Sequence, residues 1–141
     1  MSNIPPDIYA RVHELALGMV NSTEAGDAAL NEHHYESLLR YYRELTESGR
    51  AHPFLTEALA DFTEDVATSV FYYRLALEQA RMQPNEPLHT KMISLAERLI
   101  ELGLREQAEA YLRDGRAEAV KVADADSIKN ADRLLRDCAA S

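Results

Sequence analysis

The chain has 141 residues, the size of one ordinary domain, and its mix of 46% apolar and 28% charged residues excludes a disordered chain. A formal net charge of −9 argues against a protein that binds nucleic acid by neutralising phosphates. Cys138 is the only cysteine, so no intramolecular disulfide is possible, and no run of about 18 apolar residues predicts a membrane span. From the length we expect one domain, residues 1–141. Because the N-terminus lacks the pattern of a secretion signal, we expect this domain in the cytoplasm.

The acidity lies in the first half of the chain. Residues 1–65 hold 12 acidic and 4 basic residues, a net of −8, whereas residues 66–141 hold 12 acidic and 11 basic residues, a net of −1. Two interpretations remain open. The charge is either a solubilising surface or an acidic face that meets a basic partner.

Apolar residues recur at three- and four-residue spacing along most of the chain, which predicts amphipathic helices. Proline, glycine and capping residues divide the pattern into seven helices at about 6–20, 27–49, 53–62, 66–83, 88–103, 105–122 and 127–139. In the first two helices the stripe expected to face the core comprises Ile8, Val12, Leu15, Leu17, Val20, Leu30, Tyr35, Leu38, Leu39, Tyr42 and Leu45. Because the connections are short, we expect an all-α fold of antiparallel hairpins.

Two segments of the chain match each other at a fixed offset of 31 residues. Tyr41–Pro53 reads YYRELTESGRAHP and Tyr72–Pro84 reads YYRLALEQARMQP, and six of the thirteen positions are identical. A weaker third copy begins at Tyr111, after a further 39 residues. Such periods are typical of solenoids built from helical hairpins, although chance similarity within a helical bundle remains an alternative.

The segment 89–118 resembles a tetratricopeptide repeat, in which small residues stand where two antiparallel helices touch and large residues fill the space between them. Those positions hold Ala96, Ala108, Gly115, Leu95, Leu99 and Leu112. Met92 departs from the family's first aromatic position and Val120 from its proline. The two preceding copies match only in their second helices. The resemblance implies a short right-handed solenoid, capped by the last helix, that holds another polypeptide.

Glu57 conflicts with this pattern, because it occupies a position of the 50–83 copy where the family has a small buried residue. A glutamate is costly to bury at a helix contact. We therefore expect the helix that carries Glu57 to be rotated or packed differently.

Metal and catalytic sites have weak support. His33 and His34 are adjacent, so on a helix they point about 100° apart. A metal site shared by His13, His33 and Glu36 is conceivable, but we expect no metal or cofactor. Carboxylate pairs such as Asp124 and Asp126 fall at predicted turns, where acids serve as helix caps. Cys138 fits the apolar stripe of the last helix.

The sequence therefore favours a non-catalytic module that binds another protein, one with a basic surface and not nucleic acid or a membrane. The residues predicted to contact the partner are Tyr41, Glu57, Asp61, Glu64, Asp65 and Tyr72. An immunity protein that neutralises a toxin fits the charge best, and a chaperone for a secreted protein is an alternative. A self-associating structural protein, such as a homodimer, is a further alternative, and a metal-dependent enzyme comes third.

Overall fold

The computed structural model describes residues 4–140, and this part of the chain contains seven α-helices and no strand. The helices are α1 (Pro6–Glu24), α2 (Ala28–Glu47), α3 (Pro53–Phe62), α4 (Val66–Arg81), α5 (His89–Glu101), α6 (Arg105–Lys121) and α7 (Ala125–Ala139). The predicted all-α fold is confirmed. Within residues 4–140 no helix has the length and apolarity that crossing a bilayer requires.

Capping residues fix where the helices begin. The carboxylates of Asp27, Asp65 and Asp124 accept hydrogen bonds from backbone N–H groups in the first turns of α2, α4 and α7, at 3.0, 2.9 and 3.2 Å. Pro6 and Pro53 occupy the first turns of α1 and α3, where a missing N–H costs nothing. The acids at the predicted turns therefore satisfy backbone donors that the helices leave unpaired.

Helix α1 ends at Glu24, a few residues later than the sequence predicts, and Gly26 follows its end. The helix continues through Asn21–Thr23 to Glu24, and the Ser22 hydroxyl donates to the Met19 carbonyl at 3.1 Å instead of breaking the turn. Gly26 then takes a φ of +71°, which residues with a side chain rarely adopt, and the chain turns back into α2.

Consecutive helices pack as antiparallel hairpins: α1 with α2, α3 with α4, and α5 with α6, while α7 covers α5 and α6. The buried apolar residues form two clusters. One joins α1, α2 and α3, and the other extends from α3 to α7. The half-buried Tyr72 ring packs against both clusters. The stack is thus continuous through the middle hairpin.

Leu17, Val20 and Leu30 were predicted to face the core, and that prediction is wrong, since their exposed fractions are 51%, 45% and 42%. The buried residues of α1 repeat at intervals of four and three, and they are Ile8, Val12, Leu15, Met19 and Ser22. Leu17 is two residues from Leu15, so it lies about 200° around the helix on the opposite side. An apolar count alone could not choose between the two stripes.

The two matched segments occupy similar faces of α2 and α4. Leu38 and Ser69 are buried at equivalent positions, and so are Leu45 and Ala76. The match is imperfect at Tyr42, which is half-buried, whereas its counterpart Tyr73 is buried. The final prolines also differ, because one begins α3 and the other lies in the α4–α5 loop.

The α5–α6 hairpin has its small residues at the helix contact. Ala96 and Ala108 are fully buried. A Cβ added at Gly115 would lie 3.0 Å from Ile93 Cγ1 and 3.1 Å from Met92 Cβ, closer than ordinary van der Waals contact. The absence of a side chain at this position lets the two helices approach.

We expect Gly115→Val to lower the free energy of unfolding by about 1–3 kcal/mol, because the added methyls have no space against Ile93 and Met92. Urea denaturation followed by circular dichroism measures this. The matched control is Ala117→Val on the exposed side of α6, which introduces the same β-branched residue without the contact. Because valine favours a helix more than glycine does, propensity alone would stabilise Gly115→Val, and a variant at least as stable as the natural chain would contradict the packing contact.

Candidate functional site

A groove of about 710 Å³ opens between the α1–α2 turn and the α3–α4 turn. Its walls come from four helix ends, and the lining residues are Ser22, Thr23, Gly26, Asp27, Ala28, Asn31, Glu32, Tyr35, Phe62, Thr63, Glu64, Asp65 and Thr68. Two of the predicted contact residues, Glu64 and Asp65, are therefore in this groove. Its volume is within the range of ordinary ligand sites.

Hydrogen bonds that Thr63 donates and accepts hold the α3–α4 side of the groove. The Thr63 hydroxyl donates to the Leu59 carbonyl at 2.7 Å, so it accepts the hydrogen bond from the Tyr35 hydroxyl, also at 2.7 Å. From α5, Arg98 Nη2 donates to the Thr63 carbonyl at 3.2 Å. The turn that carries Glu64 is thus tied to α2, α3 and α5.

Asn31 fixes the opposite side. Its Nδ2 donates to the Met19 carbonyl at 2.9 Å and to Thr23 Oγ1 at 2.8 Å, which closes the end of α1 onto α2. Because both sides are held by side chains within hydrogen-bond range, the groove is part of the folded frame and not a gap between loose loops.

Four carboxylates border the groove, and no lysine or arginine is among its lining residues. Asp27 and Asp65 each use one oxygen to cap a helix. Hydrogen bonds from the Thr68 hydroxyl and N–H lower the pKa of Asp65, so its charge persists at neutral pH. Glu32 and Glu64 are exposed, and neither forms an ion pair within residues 4–140. The groove therefore carries negative charge with no internal counter-ion.

Glu57 lies outside the groove, on the inward side of α3. Its side chain is only 18% exposed, and Oε1 lies 3.1 Å from Lys91 Nζ on α5. The Lys91 side chain is 2% exposed, and its ammonium also donates to the Pro87 carbonyl at 2.8 Å. A buried cation on the next hairpin thus compensates for the carboxylate.

The Lys91 ammonium has a second carboxylate neighbour in the α4–α5 loop. Glu86 Oε2 lies 3.8 Å from Nζ, and the Glu86 side chain is 5% exposed. Its other oxygen is 3.8 Å from Nε2 of His52, whose Nδ1 accepts from the Phe54 N–H at 3.1 Å. The ring proton is therefore on Nε2, and the 3.8 Å to Glu86 is longer than a hydrogen bond. We call Glu57, Glu86 and Lys91 the buried charge cluster, and His52 lies at its edge.

Asp61 follows one turn after Glu57 on α3 and accepts a hydrogen bond from the Tyr73 hydroxyl of α4. The residue as a whole is exposed, but its carboxylate is crowded by the α3–α4 contact. Desolvation at this contact is the largest influence and raises the pKa of Asp61 to about 6, although the Tyr73 hydrogen bond opposes the rise. Asp61 thus joins α3 to α4 and is less available to a partner than its exposure implies.

The two tyrosines of the predicted contact set both pack against the apolar cluster of the first three helices. Tyr41 is half-buried, and the charges near its phenol include Asp7 and Arg50, which form a two-bond ion pair at 2.9 and 3.0 Å. Tyr72 packs edge-on against Tyr42, with ring centroids 5.7 Å apart. Desolvation raises the pKa of both Tyr41 and Tyr72. Of the six residues predicted to contact a partner, Glu64 and Asp65 line the groove and the other four do not.

The histidines of α1 and α2 are engaged in ring contacts. His13 stacks on Tyr9 at 5.9 Å, and the His34 ring lies where a Cβ on Gly18 would be. Within residues 4–140 no group of three or more histidine, cysteine, aspartate or glutamate side chains is placed to hold a metal ion.

The sequence did not indicate that Asp27 and Glu32 border the groove, or that Lys91 and Glu86 form a charge cluster beside His52. A signal for Lys91 was present. Lys91 is next to Met92 and three residues after Leu88, so it is a base on the apolar side of its helix. Glu57 is an acid on the apolar side of α3. Two charges of opposite sign on apolar faces predict a buried pair.

A scan against protein-family models, a search of curated proteins and a search of solved structures each found no match to this chain. The geometry and charge of the groove are therefore the basis of the function proposed below.

We expect Lys91→Met to lower the free energy of unfolding by about 3–5 kcal/mol, because Glu57 and Glu86 are left buried without a cation. Urea denaturation at neutral pH measures this. The matched control is Lys91→Met with Glu57→Leu and Glu86→Leu, which removes all three charges and should regain most of the loss. A single variant as stable as the natural chain contradicts the assignment.

The stability contribution of Asp61 should fall as pH rises. Its pKa of about 6 in the folded chain exceeds the 3.8 of a free aspartate, so the folded state binds more protons between these values. We expect the urea midpoint to decrease between about pH 5 and about pH 7, and to decrease less in Asp61→Asn, which keeps an acceptor for Tyr73. Asp65→Asn, at an acid whose pKa is lowered, should keep the natural slope. Parallel curves for Asp61→Asn and the natural chain would contradict this.

Proposed function

We propose that this chain is a non-catalytic protein-binding module that takes a basic segment of a partner protein into the groove between the α1–α2 and α3–α4 turns. The observation that carries the proposal is the charge of that groove. Asp27, Glu32, Glu64 and Asp65 border it, and no basic side chain lines it. A lysine or arginine of a partner would supply the missing counter-charge.

The apolar parts of the groove suit the same kind of ligand. Tyr35 and Phe62 line it as half-buried rings beside the carboxylates. Lysine and arginine have apolar stems that cover such surfaces while the charged head reaches an acid, and cations also bind aromatic faces. A volume of about 710 Å³ accommodates a few side chains of a peptide segment and not a whole domain.

Among modules of this kind, an immunity protein that blocks a basic toxin in the cytoplasm agrees best with the acidity of residues 1–65, as does, less directly, a chaperone for a secreted protein. The resemblance of residues 89–118 to a tetratricopeptide repeat supports the same class, since hairpin arrays expose surfaces that hold polypeptides. Self-association has its own support, an exposed apolar stripe on α1 that contains Tyr9, Leu17 and Val20.

Charge reversal within the groove tests the proposal. In Glu32→Lys/Glu64→Lys the rim loses the two carboxylates that have no structural role, while the helix caps Asp27 and Asp65 remain. We expect at least tenfold weaker binding of a fluorescent peptide with alternating lysine and leucine, measured by anisotropy at low salt. Binding to the natural chain should also weaken as salt is added, because exposed charges are screened.

The matched control is Glu97→Lys/Asp114→Lys, which makes the same change in net charge at exposed positions outside the groove. If both double variants bind the peptide equally, net charge is responsible and the groove is not the site. Reversal of Glu57 or Asp61 is unsuitable, because these residues pair with Lys91 and Tyr73 inside the fold.

A further inference from the structure

We infer that the groove also binds a second copy of this chain, through a basic stripe on the outer face of α7, so that molecules join head to tail. The inference rests on the proposed function of the groove, because it requires the groove to accept basic side chains. It adds the identity of one partner and a reason why that partner competes with others.

The basic stripe consists of Lys129, Arg133 and Arg136. Their spacing of four and three residues places them within about 60° of one another on a helix, along about 10 Å of its length. The buried residues of α7 are Ala131, Leu134 and Cys138, which point to the opposite side. All three basic residues are exposed, and they line a shallow depression on the surface of α7.

The carboxylates beside this stripe are already paired. Asp132, which also lines the depression, lies 2.6 Å from Arg116 Nε on α6, and Asp137 lies 3.6 Å from Arg133. Lys129 and Arg136 form no ion pair with any residue in 4–140. The depression thus holds three cations and one carboxylate, Asp132, whose pKa is lowered first by Arg116 and also by Arg136, so the balance of charge there is positive.

The groove and the stripe are complementary in charge. The groove has two carboxylates that form no ion pair within residues 4–140, Glu32 and Glu64, and the stripe has two cations that form none there, Lys129 and Arg136. The groove also has half-buried rings, Tyr35 and Phe62, against which the stems of Lys129 and Arg136 can pack. The groove thus offers carboxylates and aromatic rings, and the stripe offers cations with apolar stems.

One molecule cannot join these surfaces to each other. The groove is built from the ends of α1 to α4, whereas α7 packs on α5 and α6. The contact must therefore form between molecules. It uses different surfaces on the two partners, so each added molecule leaves one groove and one stripe open. Such a heterologous contact produces open chains of increasing length unless the rotation closes a ring.

The experiment compares three forms by sedimentation velocity at low salt, about 20 mM, where exposed charges act over the longest range. They are the natural chain, the groove variant Glu32→Lys/Glu64→Lys, and the stripe variant Lys129→Glu/Arg136→Glu. We expect the natural chain to sediment as species above 15.9 kDa that grow with concentration. Each variant alone should remain at 15.9 kDa, because like charges then face each other.

The decisive measurement is the equimolar mixture of the two variants. The unchanged stripe of one faces the unchanged groove of the other, and the two altered surfaces are again opposite in sign, so association should return. A mixture that stays monomeric overturns the inference, as does a natural chain that is monomeric at every concentration. So does a natural chain whose association either variant leaves intact, because the exposed stripe of α1 would then be the contact.

Failure here differs from failure of the proposed function. If the natural chain binds the lysine–leucine peptide but never self-associates, the groove keeps its function and the second-copy inference falls. If it binds neither, both fall. If both are correct, added peptide should return the natural chain to 15.9 kDa, because peptide and α7 occupy the same groove.

Discussion

The burial of Lys91 is the constraint on which the middle of this structure depends. Its ammonium has almost no access to water and lies among Glu57 of α3, Glu86 of the α4–α5 loop and the Pro87 carbonyl. A buried cation is costly unless acceptors surround it, and these acceptors come from two separate segments, α3 and the α4–α5 loop. The second hairpin is therefore held to the third by charge as well as by apolar contact. This arrangement also explains how α3 tolerates a glutamate on its inward face.

The groove depends on the same part of the molecule. The α3–α4 turn that carries Glu64 is held by Arg98, one turn beyond Leu95 on the helix that carries Lys91, through the Thr63 carbonyl. Tyr35 reaches Thr63 from α2, so the first hairpin is placed relative to the second through a hydrogen bond at the groove itself. A change in the packing of α3 against α5 would therefore be transmitted to the acidic rim. The charges around Lys91, which hold the hairpins together, and the carboxylates of the groove therefore belong to different residues of neighbouring segments.

Charge is distributed along the array in a way that suits assembly. Within the described part of the chain, acids without an ion pair border the groove at the ends of the first two hairpins, and two bases without one, Lys129 and Arg136, lie on α7. Exposed pairs contribute little stability, so the unmatched groups matter more for recognition than for folding. We propose that the groove binds both a basic segment of another protein and α7 of a second copy. The two proposed events compete for one groove.

The sequence by itself determined the seven helices, their order and most of their ends, because periodicity, prolines and capping acids act within a few residues of chain. The small residues Ala96, Ala108 and Gly115 also identified one hairpin contact correctly. Tertiary structure decided which stripe of α1 is buried, since Leu15 and Leu17 are equally apolar and only the packing of α1 against α2 and α3 distinguishes them. It also decided that Glu57 turns inward and that Asp27 and Glu32 join Glu64 and Asp65 in one groove. These residues are separated by about thirty positions in sequence, and their proximity depends on how whole hairpins stack, which no local pattern encodes.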